Sequence, residues 1–564
     1  MKKDKETDMN RKINFSRFVI WVLLTLSGVT FGQDETNYFG SGNESELKIR
    51  DRGVVYLDLK SSAYDFFERM TLKGIITFHD EVKPITRRDA ARFLFEANSK
   101  KSELTLLEKE ELDWLKLEFA DELGNSKERW HGYAYSDSLF SFRSNPIAAY
   151  SVNKNYEISG FERWWGASVY AGYSDWFGIN VNMRDRGEFG SNVDKQKRLS
   201  RKTGHTIYGA ANGIEYSDVR GGINFSWKWG EISFQKDYFV WGHGKEGNLI
   251  HSNKAPSYPY LRFDLHPVDW LRFYYVHGFL NSNFIDSIGI YYRSDPFQSR
   301  NGEQFVKKNI VMNFLSITPF EWMDVSIGNS SVYKGDIKPE MMIPFLFFKY
   351  LDRDVGKGSI EDGNGQLHSD IVIRLPKTYK FYATFFLDVT ELRNVMSNKW
   401  YNTWFGFTFG GKKIDLVVPN LDVSVEYTRV SPWVYEHRDS AMSYKHIDYV
   451  LGHWIGQNAD LFTVRADYSF LRGLKISAYA EMLRKGGLKS IKVAYGSKEY
   501  QPFLYGPVRK DFRGGIEFRY EVIHDAIING YYEYSNISDE DAKRTPAWQL
   551  GKKHSFGLGL SYGM

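Results

Sequence analysis

A two-residue rhythm constrains this chain more than any other feature. Apolar Ile223, Phe225, Trp227 and Trp229 alternate with Asn224, Ser226 and Lys228. After a Gly230-Glu231 corner, Ile232 and Phe234 alternate with Ser233 and Gln235. A period of two is that of a strand, so this is an antiparallel hairpin with one greasy and one wet face. Trp227 and Trp229 cluster at the strand end, as aromatic girdles do at a membrane interface. The alternative is a water-soluble sheet with an aromatic core.

From about Ile147 onward the rhythm recurs in pairs of runs. Trp164–Tyr173 and Trp176–Met183 alternate, as do Leu261–Phe279 around His266-Pro267-Val268-Asp269 and Ile310–Ile327 around Thr318-Pro319-Phe320-Glu321. Further runs are Ile371–Leu387 around Pro376-Lys377-Thr378, Trp404–Gly410, Leu421–Thr428, Phe462–Ala480 around Leu471-Arg472-Gly473, Gly514–Tyr520 and Ile527–Tyr534. Tight corners join the pairs and longer polar loops separate them, the mark of an outer-membrane barrel whose short turns are periplasmic. About eighteen antiparallel strands are expected. Between Thr206 and Asp218 a strand and an in-folded loop both fit. At the end, Phe556, Leu558, Leu560 and Tyr562 alternate with Gly or Ser, so large side chains can face lipid and small ones the interior.

Composition decides between membrane classes. The 564 residues are 17% aromatic and 42% hydrophobic with a mean hydropathy of -0.46, too polar for a helical membrane protein. A barrel exposes only alternate residues to lipid and tolerates such a balance. There is no cysteine, hence no disulfide framework and no lipid-anchored cysteine.

Arg11 and Lys12 precede an apolar run from Phe18 to Leu26 and a small-residue stretch ending at Gly32, which reads as a secretory signal over residues 1–32. Its removal takes six basic and three acidic residues, so the formal charge falls from +4 to +1 and no field favours nucleic acid. Residues 33–47 read as a flexible leader. Residues 48–128 read as a periplasmic α-helical bundle. One helix runs from Ala63 and stops at Gly74, one is opened by Thr86-Arg87-Arg88-Asp89, and a third is opened by a Thr105/Glu108 capping box. So small a bundle buries little alone and needs a larger partner surface, as a plug or a docking module. Residues 129–564 are assigned to the barrel.

Two loops have the chemistry of a sugar site, aromatic faces beside planar hydrogen-bonding groups. One carries Trp241, His243, Asn248, Asn253, Tyr258 and Tyr260; the other carries Trp433, Tyr435, His437, Tyr444, His453 and Trp454. Equally, these rings can brace the loops against the wall. His437, His446 and His453 have no recognisable metal spacing, and no metal or cofactor is expected. The basic run Lys195, Lys197, Arg198, Arg201 and Lys202 suits lipopolysaccharide phosphates or an anionic capsule, or is simply solvated. Asp352-Arg353-Asp354-Val355-Gly356 has the look of a calcium loop without its terminal acid. Gly559-Leu560-Ser561-Tyr562-Gly563 lies inside a strand and cannot form a nucleophile elbow, and no His-Glu-x-x-His occurs. No enzyme is expected.

Three blocks resemble the Wzi-type capsule assembly family. They are Trp241-Gly242-His243-Gly244 through Ser252-Asn253-Lys254-Ala255-Pro256 with Pro259; Pro339-Glu340-Met341-Met342-Ile343-Pro344-Phe345; and Glu426 through Tyr435 continuing to Leu451–Asp460. The resemblance implies an outer-membrane barrel with a periplasmic helical bundle, acting as a lectin that retains capsular polysaccharide on a Gram-negative surface. Lipid, lipopolysaccharide and a periplasmic partner are the other expected contacts. The competing expectation is a porin or exopolysaccharide export channel.

Overall fold

The computed structural model describes residues 47–563 except 126, 156–157, 206–207, 211–212, 286–304, 350–362, 376–377, 390–403, 488–490 and 492–500. The expected signal, the expected leader up to residue 46 and the Asp352–Gly356 stretch lie outside the described residues.

Alternation becomes a wall of eighteen strands. They are β1 (Phe140–Asn155), β2 (Ile158–Tyr173), β3 (Phe177–Gly190), β4 (Gly213–Trp227), β5 (Gly230–Asp237), β6 (Tyr258–Val268), β7 (Leu271–Ile285), β8 (Phe305–Phe320) and β9 (Met323–Lys334). There follow β10 (Gly363–Leu375), β11 (Tyr379–Val389), β12 (Trp404–Lys413), β13 (Leu421–Val430), β14 (Ala459–Leu471), β15 (Leu474–Gly486), β16 (Val508–Ile523), β17 (Ala526–Asp539) and β18 (Gly551–Tyr562). Each pairs antiparallel with the next, and β18 closes on β1 with Tyr562 opposite Ala148 and Ser555 opposite Asn155. Closure leaves no edge strand to satisfy, which is what permits a sheet to sit in hydrocarbon.

Connections after even-numbered strands are two to seven residues long. Those after odd-numbered strands run from eleven to twenty-eight, apart from the two residues between β1 and β2. The short-turn rim, which also carries the start of β1 and the end of β18, is therefore periplasmic. Trp229, Trp270 and Trp322 stand exposed on it as an aromatic belt. Phe556, Leu558 and Leu560 point outward at 53%, 55% and 45% exposure, while Gly557 and Gly559 turn inward. Along β4, Asn224 and Ser226 are buried inside and Phe225 faces out, the division that the opening hairpin requires.

Some boundaries differ from the expected ones. The corners at 266–269 and 318–321 move to 269–270 and 321–322, because β6 and β8 run on through Pro267 and Pro319 where the pairing register shifts. A proline costs little at such an irregularity. The wall begins at Phe140, seven residues before the expected start, since inward Arg143 and Asn145 blur the apolar pattern. The ambiguous stretch after Thr206 becomes β4 from Gly213, with Tyr208–Ala210 as a short strand paired to it.

Among the described residues three α-helices precede the wall: α1 (Ala63–Leu72), α2 (Arg87–Ser99) and α3 (Leu106–Glu118). Thr86 caps α2 by accepting from the Asp89 amide, and Thr105 with Glu108 forms the complete capping box of α3. Phe67, Met70, Ala90, Leu94, Leu112 and Leu115 make their common core. This core is small, and the segment is held mainly by charge against the inward face of the barrel. Glu68 accepts from Lys380 and Lys412 at 2.8 Å each, Arg69 donates to Asp422 at 2.9 Å, and the Arg88 guanidinium donates to the Asp175 carbonyl in a short turn. The helical segment thus stoppers the periplasmic mouth. From Lys48 onward, helices and barrel pack as one compact unit.

Candidate functional site

The extracellular mouth is closed by different means. The β5–β6 connection, residues 238–257, drops into the lumen, where Val240–Trp241 pairs antiparallel with Val82–Lys83 of the helical segment. The Gly242 amide donates to the Glu81 carbonyl at 2.8 Å, and φ of +116° at Gly242 allows the turn that follows. Trp241 is fully buried and stacks on Phe314 of β8 with centroids 5.5 Å apart. His243 lies between two acids, Nδ1 at 2.5 Å from Asp370 and Nε2 at 3.3 Å from Asp80. Asp80 also accepts from Arg374 and Lys380, so plug, wall and descending loop meet at one carboxylate.

The β13–β14 connection, residues 431–458, clamps that loop from above. Trp454 Nε1 donates to the Glu246 carbonyl at 2.8 Å, Tyr435 Oη to Leu249 at 2.8 Å, and Tyr444 Oη to Ile250 at 2.9 Å. Three ring-bearing donors thus saturate three carbonyls of one short stretch, and the rings exclude water around them. His251 stacks on Phe239 with centroids 3.7 Å apart and meets the Tyr258 hydroxyl at 2.5 Å. Burial pushes the imidazoles of His251 and His453 down to about 3, so both are neutral.

The sequence-derived sugar candidates therefore fall unevenly. Trp241, His243, Asn248, Tyr258, Tyr260, Trp433, Tyr435, Tyr444, His453 and Trp454 are all buried, and offer no ring face to solvent in this arrangement. They brace the cap. Asn253 is exposed and His437 half-buried. His446 is occupied by accepting from the Asn281 amide. Among the described residues, three metal-type donors converge only at His79, Glu81 and Asp324, and there Arg272 and Arg374 pair with both carboxylates. The basic run is largely spent on ion pairs: Lys197 with Glu188, Arg201 with Glu246 and Glu481, and Lys202 with Glu162; Lys195 and Arg198 remain exposed.

Beside the cap, the long-loop rim holds an open cleft of about 210 Å³ between β1–β3, the 191–202 loop and the β17–β18 connection. Trp548 lines it, with Asn153, Asn155, Asn192, Glu533 and Gln549 around. Asn192 Nδ2 donates to Asn153, whereas the buried Asn155 Oδ1 has no partner. An aromatic platform beside amides and carboxylates, with one acceptor unspent, fits a sugar's apolar face and hydroxyl rim. The sequence did not single out Trp548. Its only signal is a lone tryptophan between Pro546 and Gln549 in a loop at the outer rim.

Fold and site together define an outer-membrane β-barrel with a stoppered lumen and its elaborated surface outside the cell. Residues 122–549 match the family described as capsule assembly protein Wzi, and the chain belongs to that family. Among solved structures it is similar to Wzi of Escherichia coli, described as an outer membrane protein involved in group 1 capsule assembly and a carbohydrate-binding β-barrel; the two are 12% identical, with a TM-score of 0.53 over 92% of this chain and 100% of that one. Pseudomonas aeruginosa OprD is 10% identical with a TM-score of 0.39, over 77% of this chain and 98% of its own. At 12% identity the likeness to Wzi is one of fold. No curated protein matches the chain.

Proposed function

We propose that this protein holds capsular polysaccharide at the cell surface, as a binding barrel and not a conduit. The carrying observation is the strand pair Val82–Lys83 with Val240–Trp241: chain entering from the periplasm and chain entering from outside are hydrogen-bonded to each other within the lumen. A passage for polymer or solute would have to break that pair and the Asp80 cluster beneath it. The work is then left to the outer surface. Trp548 offers the stacking face, and Asn155, Asn192 and Glu533 offer hydrogen bonds, while the buried aromatics of the two loops keep the rim rigid. Membership of a capsule assembly family supports the ligand class.

The combined Trp548→Ala and Asn155→Ala variant should release capsule into the medium while the amount of barrel in the outer membrane stays constant. Unchanged retention with normal surface levels would refute the cleft as the contact.

A further inference from the structure

The β9–β10 connection does not stay at the rim. From Gly335 to Lys349 it folds down over the outer, lipid-side face of the wall. Its amide at Gly335 donates to the Lys307 carbonyl of β8, a residue paired with Asn281 of β7, yet the Phe345 ring stacks on Phe273 at a centroid distance of 4.4 Å. Asn281 and Phe273 are eight residues apart along β7, roughly 26 Å. At the usual strand tilt that is about 20 Å of depth, most of an apolar band about 25 Å tall.

The wall under this strap is polar where a lipid-facing wall should not be. Outward Asn313 donates from Nδ2 to the carbonyls of Pro344 (2.9 Å) and Leu346 (2.8 Å). Asn329 accepts from the Phe348 amide at 2.7 Å and donates to Asn313, and Tyr275 Oη donates to the Met341 carbonyl at 2.7 Å. These are the groups that an irregular backbone lacks in hydrocarbon, supplied by side chains of the strands. The strap's own face is the reverse: Met341 to Phe348 reads Met-Met-Ile-Pro-Phe-Leu-Phe-Phe, without a charge, and Ile343, Phe345 and Phe347 are 49%, 66% and 41% exposed.

We propose that residues 341–348 are a membrane-immersed strap, an extracellular loop whose outward side chains are covered by lipid acyl chains. The occupant follows from continuity. The exposed strap residues extend the same outward apolar surface as Leu315 and Ile327, and the Met341, Ile343, Pro344 and Leu346 carbonyls are met by Tyr275, Asn313 and the strap's own Leu346 amide, without polar groups from a protein partner.

The absence of cysteine makes a site-directed test direct. Phe345→Cys carrying a nitroxide, in phosphatidylcholine/phosphatidylglycerol vesicles, should collide readily with oxygen and poorly with a water-soluble nickel chelate, as a label at Leu558→Cys does. Nickel access equal to that at Val417→Cys, in a periplasmic turn, would place the strap in water. Shielding from both reagents would place it under protein. Either result overturns the proposal. Ile343→Cys and Phe347→Cys repeat the reading should Phe345→Cys fold poorly, judged by heat-modifiable migration. Adding Asn313→Leu and Asn329→Leu should raise nickel access at 345 several-fold; no change would show that the asparagines do not hold the strap down.

Discussion

The two ends of the barrel are closed with different balances of charge and aromatic packing. The periplasmic plug meets the wall through Glu68, Arg69, Asp80 and Glu81 paired to Lys380, Lys412, Asp422, Arg374 and Arg272. The extracellular cap leans more on rings, Trp241 against Phe314 and Tyr435 and Tyr444 against Phe386, and adds the pairs His243–Asp370 and Lys245–Asp467. Charge pairs fix the register of the helical segment against the inward polar face of the strands. Aromatic packing suits loops, which have no regular backbone ladder and need large rigid surfaces and ring-borne donors to fix them. Charge dominates at the plug, and ring packing carries more of the cap.

The contrast sets the order of its own tests. Trp241→Ala removes the largest buried ring at the junction and should cost about 3–5 kcal/mol in detergent unfolding, with the cap loops becoming protease-sensitive; a cost below 1 kcal/mol would mean that the cap does not depend on that ring. Asp80→Asn keeps the shape but takes the negative charge from Arg374 and Lys380, and should cost about 2–3 kcal/mol. An equal loss at the two sites would erase the distinction between the two closures.

Acid should separate the ends next. An unfolded histidine protonates below its ordinary value of 6.5, while buried His251 and His453 stay neutral to about 3, so the unfolded state binds more protons and the cap loses stability as pH falls from 6.5. In the plug, burial works against ionisation, yet Arg220 and Arg184 hold Asp58 at about 2, and Arg129 and Arg87 hold Glu118 at about 2. Their contribution is complete above 4.5 and fades only below it. Thermal unfolding between pH 6.5 and 4.5 should therefore show a slope that His251→Gln with His453→Gln flattens; an unaltered slope would locate it elsewhere. The smallest effect is that of salt. One molar NaCl should loosen the plug by under about 1 kcal/mol, because buried pairs are weakly screened.

Much of this was legible from residue patterns, for reasons that also explain the gaps. Period two at Ile223–Gln235 and Phe556–Tyr562 tells inside from outside because one face must meet lipid. The Thr105/Glu108 box marks a helix start by itself. Burial in the loops has no such signature: Trp241, Tyr435 and Trp454 have the same residue types whether they stack on a sugar or on one another, and only the partners Phe314, Leu249 and Glu246, far away in sequence, decide. Trp548 escaped notice for the converse reason, as a lone ring in a polar loop makes no pattern. The Pro339–Phe345 block resembled the family without betraying that it lies on the outer wall, since its anchors Asn313 and Asn329 sit on other strands.

Conductance of the purified protein in planar lipid bilayers tests the stoppered barrel most directly. The expected trace is electrically silent, with steps emerging only when residues 238–257 and the helical segment are both removed. Steady ion current through the intact chain would contradict the binding-barrel account and favour a conduit.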